Sequence, residues 1–105
     1  MDFQIVGNVA RIRFDAAIIA DNVKDLVNAL RTDLDRVGEY NRVELDLSIT
    51  DQVDSMGITF LVGVSKTIAA KGKQMKLTGV SKEMRSLFLM MKLDQVFSIE
   101  YRQGA

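Results

Sequence analysis

The middle of the chain changes abruptly from the period of a β-strand to that of an α-helix. Residues Arg42 to Ser48 alternate between charged and apolar side chains, which predicts a strand with one covered face. From Ser55 to about Lys71 the chain is predominantly apolar, and Gly72 then stops it, which predicts a largely buried helix. A strand joined through a helix to the next strand pairs with it in parallel, by a right-handed crossover.

A hairpin and an amphipathic helix are predicted before this unit. Phe3 to Val6 and Val9 to Phe14 are β-prone and are separated by Gly7-Asn8, a pair that tolerates the positive φ of a tight turn. From Asp21 to a stop near Gly38, apolar residues recur at helical spacing. The residues on this helical face include Val23, Leu26, Val27, Leu30 and Leu34.

Two strands and one helix are predicted after the central helix. Gln74 to Thr78 alternates, Ser81 suits the N-cap of a helix, and Phe97 to Glu100 completes the pattern as an edge strand. The methionines, notably Met84, Met90 and Met91, are expected to fill gaps in the core and not to form an adaptable binding groove. Leu89 and Met90 fall off the main apolar face of the last helix, which leaves a minor partner role open for them. The prediction is therefore an α/β fold of order β-β-α-β-α-β-α-β. Its mixed, mainly parallel sheet has an N-terminal hairpin, and the helices cover one face because the strands alternate.

Length and composition limit the functions open to this chain. Its 105 residues suit one domain, predicted over residues 1–105. Fourteen basic residues balance fourteen acidic ones, so we expect no nucleic-acid partner. Cysteine and histidine are both absent, which removes disulfides, thiolate ligands and the usual general base. We expect no cofactor, no metal site and no enzymatic activity.

The hydrophobic segments are too short to cross a bilayer. The longest apolar stretch, Ile58 to Val64, contains Thr59 and Gly63 and is far from the roughly 20 residues that span a membrane. Met1 to Gln4 does not resemble the start of a secretory signal. We expect a cytoplasmic monomer or weak dimer without direct membrane insertion.

The residues Asp54-Ser55-Met56-Gly57 lie where the central strand turns into the apolar helix. Either Asp54 or Ser55 can cap that helix, because the side-chain oxygen of each accepts a free backbone N–H. Alternatively, Ser55 carries a phosphate, which the positive end of the helix dipole favours. A hydrolase is not supported, because the chain has no histidine base and no G-x-S-x-G pattern.

The run Val53-Asp54-Ser55-Met56-Gly57-Ile58, together with the order of elements and the length, resembles the STAS domain of anti-sigma factor antagonists. This resemblance implies that Ser55 is phosphorylated by an anti-sigma factor that is a serine kinase of the histidine-kinase-like ATPase type. It also implies that a metal-dependent serine phosphatase removes the phosphate. The unphosphorylated form would bind the kinase and release the regulated target.

The resemblance also implies a partner-binding surface around Ser55. Two features depart from the family pattern: Met56 replaces a small residue, and the loop Ala16 to Ala20 is apolar. That loop either belongs to the core or exposes Ile18 and Ile19 to a partner. The predicted partner-binding residues are Asp54, Met56, Gly57, Ile18, Ile19, Asp21, Asn22, Gly79 and Ser81.

Two other roles remain open for a STAS domain. One is a non-switching scaffold subunit of a stress-sensing complex. The other is an accessory subunit of a lipid-transport ABC complex. Self-assembly of the pure protein would favour the first, and co-purification with a membrane ATPase would favour the second.

Overall fold

The computed structural model describes residues 1–35 and 37–102 and contains a five-stranded sheet. Strands follow one another across the sheet in chain order; the first pair is antiparallel and every later pair is parallel. The predicted mixed sheet with its N-terminal hairpin is confirmed. Positions 36 and 103–105 of the domain predicted over residues 1–105 lie outside the described residues. The strands are β1 (Asp2–Val6), β2 (Val9–Arg13), β3 (Arg42–Asp46), β4 (Gln74–Val80) and β5 (Ser98–Tyr101).

Three α-helices connect the parallel strands, as the sequence predicts. They are α1 (Ala20–Leu34), α2 (Ser55–Ala70) and α3 (Lys82–Met90), with short 3₁₀ turns at Val37–Glu39 and Leu93–Gln95. Helix α1 ends at Leu34 and not near Gly38. The buried hydroxyl of Tyr40 donates a hydrogen bond to the Leu34 carbonyl at 2.8 Å, which satisfies one of the acceptors left free at the helix end.

The helices cover one face of the sheet, and the alternation of the strands explains why. Ala10, Val43 and Leu77 occupy inward positions and are completely buried in the apolar core. Arg11 and Lys76 occupy outward positions, where each forms an ion pair along the open face. The register pairs Ala10 with Val43 and Val43 with Met75, so inward residues stack on inward residues. The predicted one-sided arrangement is confirmed.

The last helix departs from its predicted packing. Met84 is buried with Phe88, whereas Met90 is 74% exposed and Met91 is 50% exposed. The prediction that all three methionines fill the core is therefore wrong for Met90 and Met91. Helix α3 ends at Met90, which falls outside the inward stripe of Met84, Leu87 and Phe88, and Met91 is its C-cap.

The carboxyl ends of the four parallel strands meet at one edge of the sheet. Hydrogen bonds extend the sheet slightly beyond the strands: Phe14 N–H donates to the Asp46 carbonyl, and Leu47 N–H donates to the Thr78 carbonyl. The loops that lead into α1, α2 and α3 therefore start side by side. We call this region, which comprises residues 14–19, 47–55 and 79–81, the carboxyl edge.

Candidate functional site

One carboxylate at the carboxyl edge caps two helices. Asp54 is the N-cap of α2, and its Oδ1 accepts a hydrogen bond from Gly57 N–H at 2.8 Å. Its Oδ2 accepts a second hydrogen bond, at 3.0 Å, from the N–H of Ala20, the first residue of α1. Both N–H groups belong to first helical turns, which have no intrahelical acceptor for them. Asp54 thereby fixes the starts of α1 and α2 relative to each other.

A short parallel bridge holds the two loops that meet at Asp54. Ile18 pairs with Val53, and Ile18 N–H donates to the Gln52 carbonyl at 2.9 Å. The Asp54 N–H donates in turn to the Ile18 carbonyl at 3.3 Å. Ile18, in the segment before α1, thus forms backbone hydrogen bonds with both Gln52 and Asp54.

Asn22 orders the loop before α1 through its side chain. Its Oδ1 accepts from Ile19 N–H at 3.1 Å, and its Nδ2 donates to the Ala17 carbonyl at 2.7 Å. Among the predicted partner-binding residues, Asn22 therefore has a structural role inside the chain. The hydrogen bond to Ile19 also explains how α1 begins after an apolar residue that cannot cap it.

Gly57 allows the start of α2 to approach the loop before α1. A Cβ at this position would clash with the backbone carbonyl oxygen of Ile18 and would lie 2.9 Å from Cγ1 of Val53. Gly79 plays a similar part at the end of β4, where its φ is +67° and a Cβ would lie 2.9 Å from the Ser48 backbone. These two glycines bring the loops of the carboxyl edge into contact.

The Asp54 carboxylate is stabilised in its charged form. The hydrogen bond from Ala20 N–H lowers the pKa of Asp54 most, and the hydrogen bond from Gly57 N–H lowers it further. Asp54 is therefore an anion at neutral pH.

Ser55 is the first residue of α2 and is exposed to solvent. Because Asp54 provides the cap, the Ser55 hydroxyl is not needed for it and makes no hydrogen bond to any residue that the structure describes. The Ser55 carbonyl accepts a hydrogen bond from the Thr59 hydroxyl at 3.1 Å. Of the two capping residues that the sequence allows, the structure thus uses Asp54.

The predicted partner-binding residues divide into accessible and buried ones. Met56 is 50% exposed, Asp21 is exposed and Ile19 is partly exposed near the start of α1. Ile18 is completely buried, so the prediction that its side chain contacts a partner is wrong. The apolar loop belongs to the core at this point, and Ile18 contributes to the site through its backbone.

Two other predicted partner-binding residues, Ser81 and Gly57, are buried at or next to the carboxyl edge. Ser81 is the N-cap of α3, as the sequence predicts, and its hydroxyl accepts from Met84 N–H at 3.2 Å. Gly57 packs against the Ile18 backbone. Neither presents a side chain to a partner, because Ser81 is occupied inside the fold and Gly57 has none. Gly79 is partly exposed beside them.

Arg102, which is not among the residues predicted from the sequence, follows β5 and connects the loops of the carboxyl edge. Its Nε donates to the Gly79 carbonyl at 2.7 Å, and its Nη2 donates to the carbonyls of Leu47 and Thr50 at 2.8 and 3.0 Å. The buried Thr50 hydroxyl donates to the Ala16 carbonyl at 3.1 Å. Arg102 and Thr50 thereby hold the loop that carries Ser55. Arg102 lies two residues beyond the last predicted strand, and no local pattern in the sequence indicates this contact.

A comparison with protein-family models matches residues 1–103 to the STAS domain family. The chain therefore belongs to the STAS domain family. A comparison with curated protein sequences found no significant match. Among the described residues, none of the helices combines the length and the apolar character that crossing a bilayer requires.

Solved structures share this fold at low sequence identity. A Thermotoga maritima protein, TM1081, whose proposed role is anti-sigma factor antagonist, is 20% identical with a TM-score of 0.85, over 97% of this chain and 86% of that chain. The anti-sigma factor antagonist SpoIIAA in its unphosphorylated form is 16% identical with a TM-score of 0.66, over 99% and 90% of the chains.

Two further structures extend this comparison. The Bacillus cell fate determinant SpoIIAA in its phosphorylated form is 17% identical with a TM-score of 0.69, over 98% of this chain and 93% of that chain. The murine anion transporter Slc26a9 is 18% identical with a TM-score of 0.79, but the match covers 91% of this chain and only 16% of the transporter. The same fold thus occurs in small antagonists and within a large transporter.

Replacing Gly57 with alanine tests the contact between the two loops. We expect Gly57→Ala to lower the free energy of unfolding by at least about 2 kcal/mol, because the methyl group clashes with the Ile18 carbonyl. Gly63→Ala is the matched control on α2, where an added Cβ meets no atom within 4 Å. We expect the control to raise stability by about 0.5–1 kcal/mol. Urea unfolding measures both; equal effects would contradict the proposed close approach.

The charge on Asp54 predicts a pH dependence of stability. The folded-state pKa lies below its ordinary value of 3.8, so the unfolded chain takes up the proton more readily. The stabilisation by the Asp54 carboxylate is therefore fully present above about pH 4 and is lost as the pH falls through the lowered pKa. Asp54→Asn should have a lower thermal midpoint than the wild type at pH 7, and the difference should shrink steadily below pH 4. A difference that does not change with pH would contradict the role of the charge.

Proposed function

We propose that this protein is an anti-sigma factor antagonist whose partner binding is switched by phosphorylation of Ser55. The observation that carries the proposal is the exposed Ser55 hydroxyl at the start of α2, which Asp54 leaves free by capping the helix itself. A kinase can reach such a hydroxyl without unfolding the domain. In its unphosphorylated form the protein would bind the anti-sigma factor and so release the regulated target.

The phosphate would act mainly on association. It adds about −1.5 to −2 charges at the carboxyl edge, but it replaces no hydrogen bond of the Ser55 hydroxyl within the described part of the chain. The positive end of the α2 dipole favours the anion, whereas the neighbouring Asp54 carboxylate opposes it. At a packed interface the same phosphate would lose its water, and a cost of about 3 kcal/mol already lowers affinity more than a hundredfold.

The proposed partners follow from the family resemblance. They are an anti-sigma factor that is a serine kinase of the histidine-kinase-like ATPase type and a metal-dependent serine phosphatase. The antagonist itself would be their substrate and not an enzyme, since the chain has no histidine to serve as a base for Ser55. We place this exchange in the cytoplasm. The likeness to SpoIIAA, whose structure is known in unphosphorylated and phosphorylated forms, supports the proposal.

A second candidate is an accessory role in a membrane transport complex. The likeness to a part of Slc26a9 favours it, because that fold occurs there within a transporter. Stable co-purification with a membrane transporter, without binding to a soluble kinase, would favour this role over the switch.

Charge at position 55 tests the proposed switch. We expect Ser55→Asp to weaken binding to the cognate anti-sigma kinase at least about a hundredfold, because a carboxylate would be buried at the interface. Ser55→Ala should bind like the wild type, since the hydroxyl itself makes no hydrogen bond to a described residue. Isothermal titration calorimetry measures the affinities, and incubation with kinase and ATP followed by mass mapping locates the phosphate.

Phosphate mapping and affinity each have an outcome that would contradict the proposed switch. Phosphate mapped only to residues other than Ser55 would remove the proposed acceptor. Equal affinities of Ser55→Asp and Ser55→Ala would remove Ser55 from the interface. Thermal unfolding of both variants should give midpoints close to the wild type, which separates an effect on binding from an effect on folding.

A further inference from the structure

An open apolar groove of about 430 Å³ runs between α1 and α2 on the surface of the helical layer. Both helices leave the carboxyl edge and run toward the opposite edge, so their axes have the same sense. Val23 and Val27 line the groove from α1, and Met56 and Phe60 line it from α2. The core beneath it is complete, because Leu30 and Phe60 are already buried there.

The residues that line each wall of the groove recur at helical spacing. Val23, Val27 and Leu34 lie on one wall, and Met56, Gly63 and Lys71 lie on the other. At 1.5 Å per residue, the segment from Met56 to Lys71 is about 22 Å long. A groove of this length between two helices matches three to four turns of a further helix, the recognition mode in which an apolar stripe is laid into a groove.

Gly63 makes a notch in the middle of the groove. It is exposed within α2, where a glycine is less favourable than an alanine, and an added Cβ would meet no atom within 4 Å. In contrast to Gly57, no contact inside the described part of the chain requires a glycine here. The notch leaves room for a side chain that comes from outside.

The charges at the rim indicate what the incoming helix carries. Arg31 is exposed on the rim, and no described carboxylate lies within ion-pair distance of it. Lys71, at the same end of the groove, already pairs with Asp35 at 3.9 Å. Among the described residues, Arg31 is therefore a positive charge without an ion-pair partner at this end, which suits an acidic residue of the occupant.

We propose that the groove receives an amphipathic helix of the anti-sigma kinase, with apolar residues at positions i, i+4 and i+7 and an acidic residue that pairs with Arg31. This inference rests on the proposed function. Met56 connects the groove to the proposed phosphorylation site, because it lines the groove and directly follows Ser55. The interface would thus extend from the phosphorylation site along most of α2.

Filling the notch tests the groove. Gly63→Leu should lower the affinity for the kinase at least about tenfold, because the leucine occupies the space of the incoming side chain. Ala70→Leu is the matched control, since Ala70 is exposed on the same helix but does not line the groove. We expect this control to bind within about twofold of the wild type. Calorimetric titration of each folded variant with the kinase gives the affinities.

Reversing the charge of Arg31 provides an independent test that leaves the notch at Gly63 unchanged. Arg31→Glu should also weaken binding at least about tenfold, whereas Lys66→Glu, an exposed reversal away from the groove, should have a smaller effect. If Ser55→Asp weakens binding while Gly63→Leu and Arg31→Glu bind like the wild type, the groove proposal is wrong and the switch stands. If the wild type does not bind the kinase at all, both proposals are wrong.

Discussion

The carboxylate of Asp54 is the interaction on which the rest of the site depends. It accepts hydrogen bonds from the N–H groups of Ala20 and Gly57, which lie in the first turns of α1 and α2. These two residues are far apart in the sequence. The parallel bridge between Ile18 and Val53 places the carboxylate, and Gly57 allows the close approach that this bridge requires. Because Asp54 provides both caps, the hydroxyl of the neighbouring Ser55 is not needed to cap either helix. An exposed hydroxyl thus lies directly beside a carboxylate that the fold holds in place.

This division of roles explains how a domain could be switched without being unfolded. The groups that stabilise the carboxyl edge, above all Asp54, Thr50 and Arg102, form hydrogen bonds with backbone carbonyls and N–H groups. The Ser55 hydroxyl makes no hydrogen bond to any residue that the structure describes. A charge added to it would change what the surface can bind, while the hydrogen bonds that hold the loop would persist.

Much of the fold could be predicted from the sequence because its signals are local. The alternation in Arg42 to Ser48, the helical spacing after Asp21 and the cap at Ser81 each depend on neighbouring residues, and each element is present. The end of α1 differs from the prediction, and the hydrogen bond that satisfies the Leu34 carbonyl there comes from the hydroxyl of Tyr40, a contact that no local pattern shows.

The site was less predictable because its contacts join distant parts of the chain. The motif identified Asp54 and Ser55, but it could not decide which of them caps α2, and it could not show that Asp54 also caps α1. The burial of Ile18 follows from its bridge to Val53, and the position of Arg102 follows from the order of β4 and β5 in the sheet. Neither contact has a local sequence signal.

We propose that phosphate on Ser55 acts on binding and leaves the fold intact. The most direct measurement compares the domain phosphorylated at Ser55 with the unphosphorylated domain, in thermal unfolding and in titration with the anti-sigma kinase. We expect thermal midpoints within about 3 °C of each other and an affinity at least about a hundredfold lower for the phosphorylated form. A large fall in the midpoint, or an unchanged affinity, would contradict the proposal.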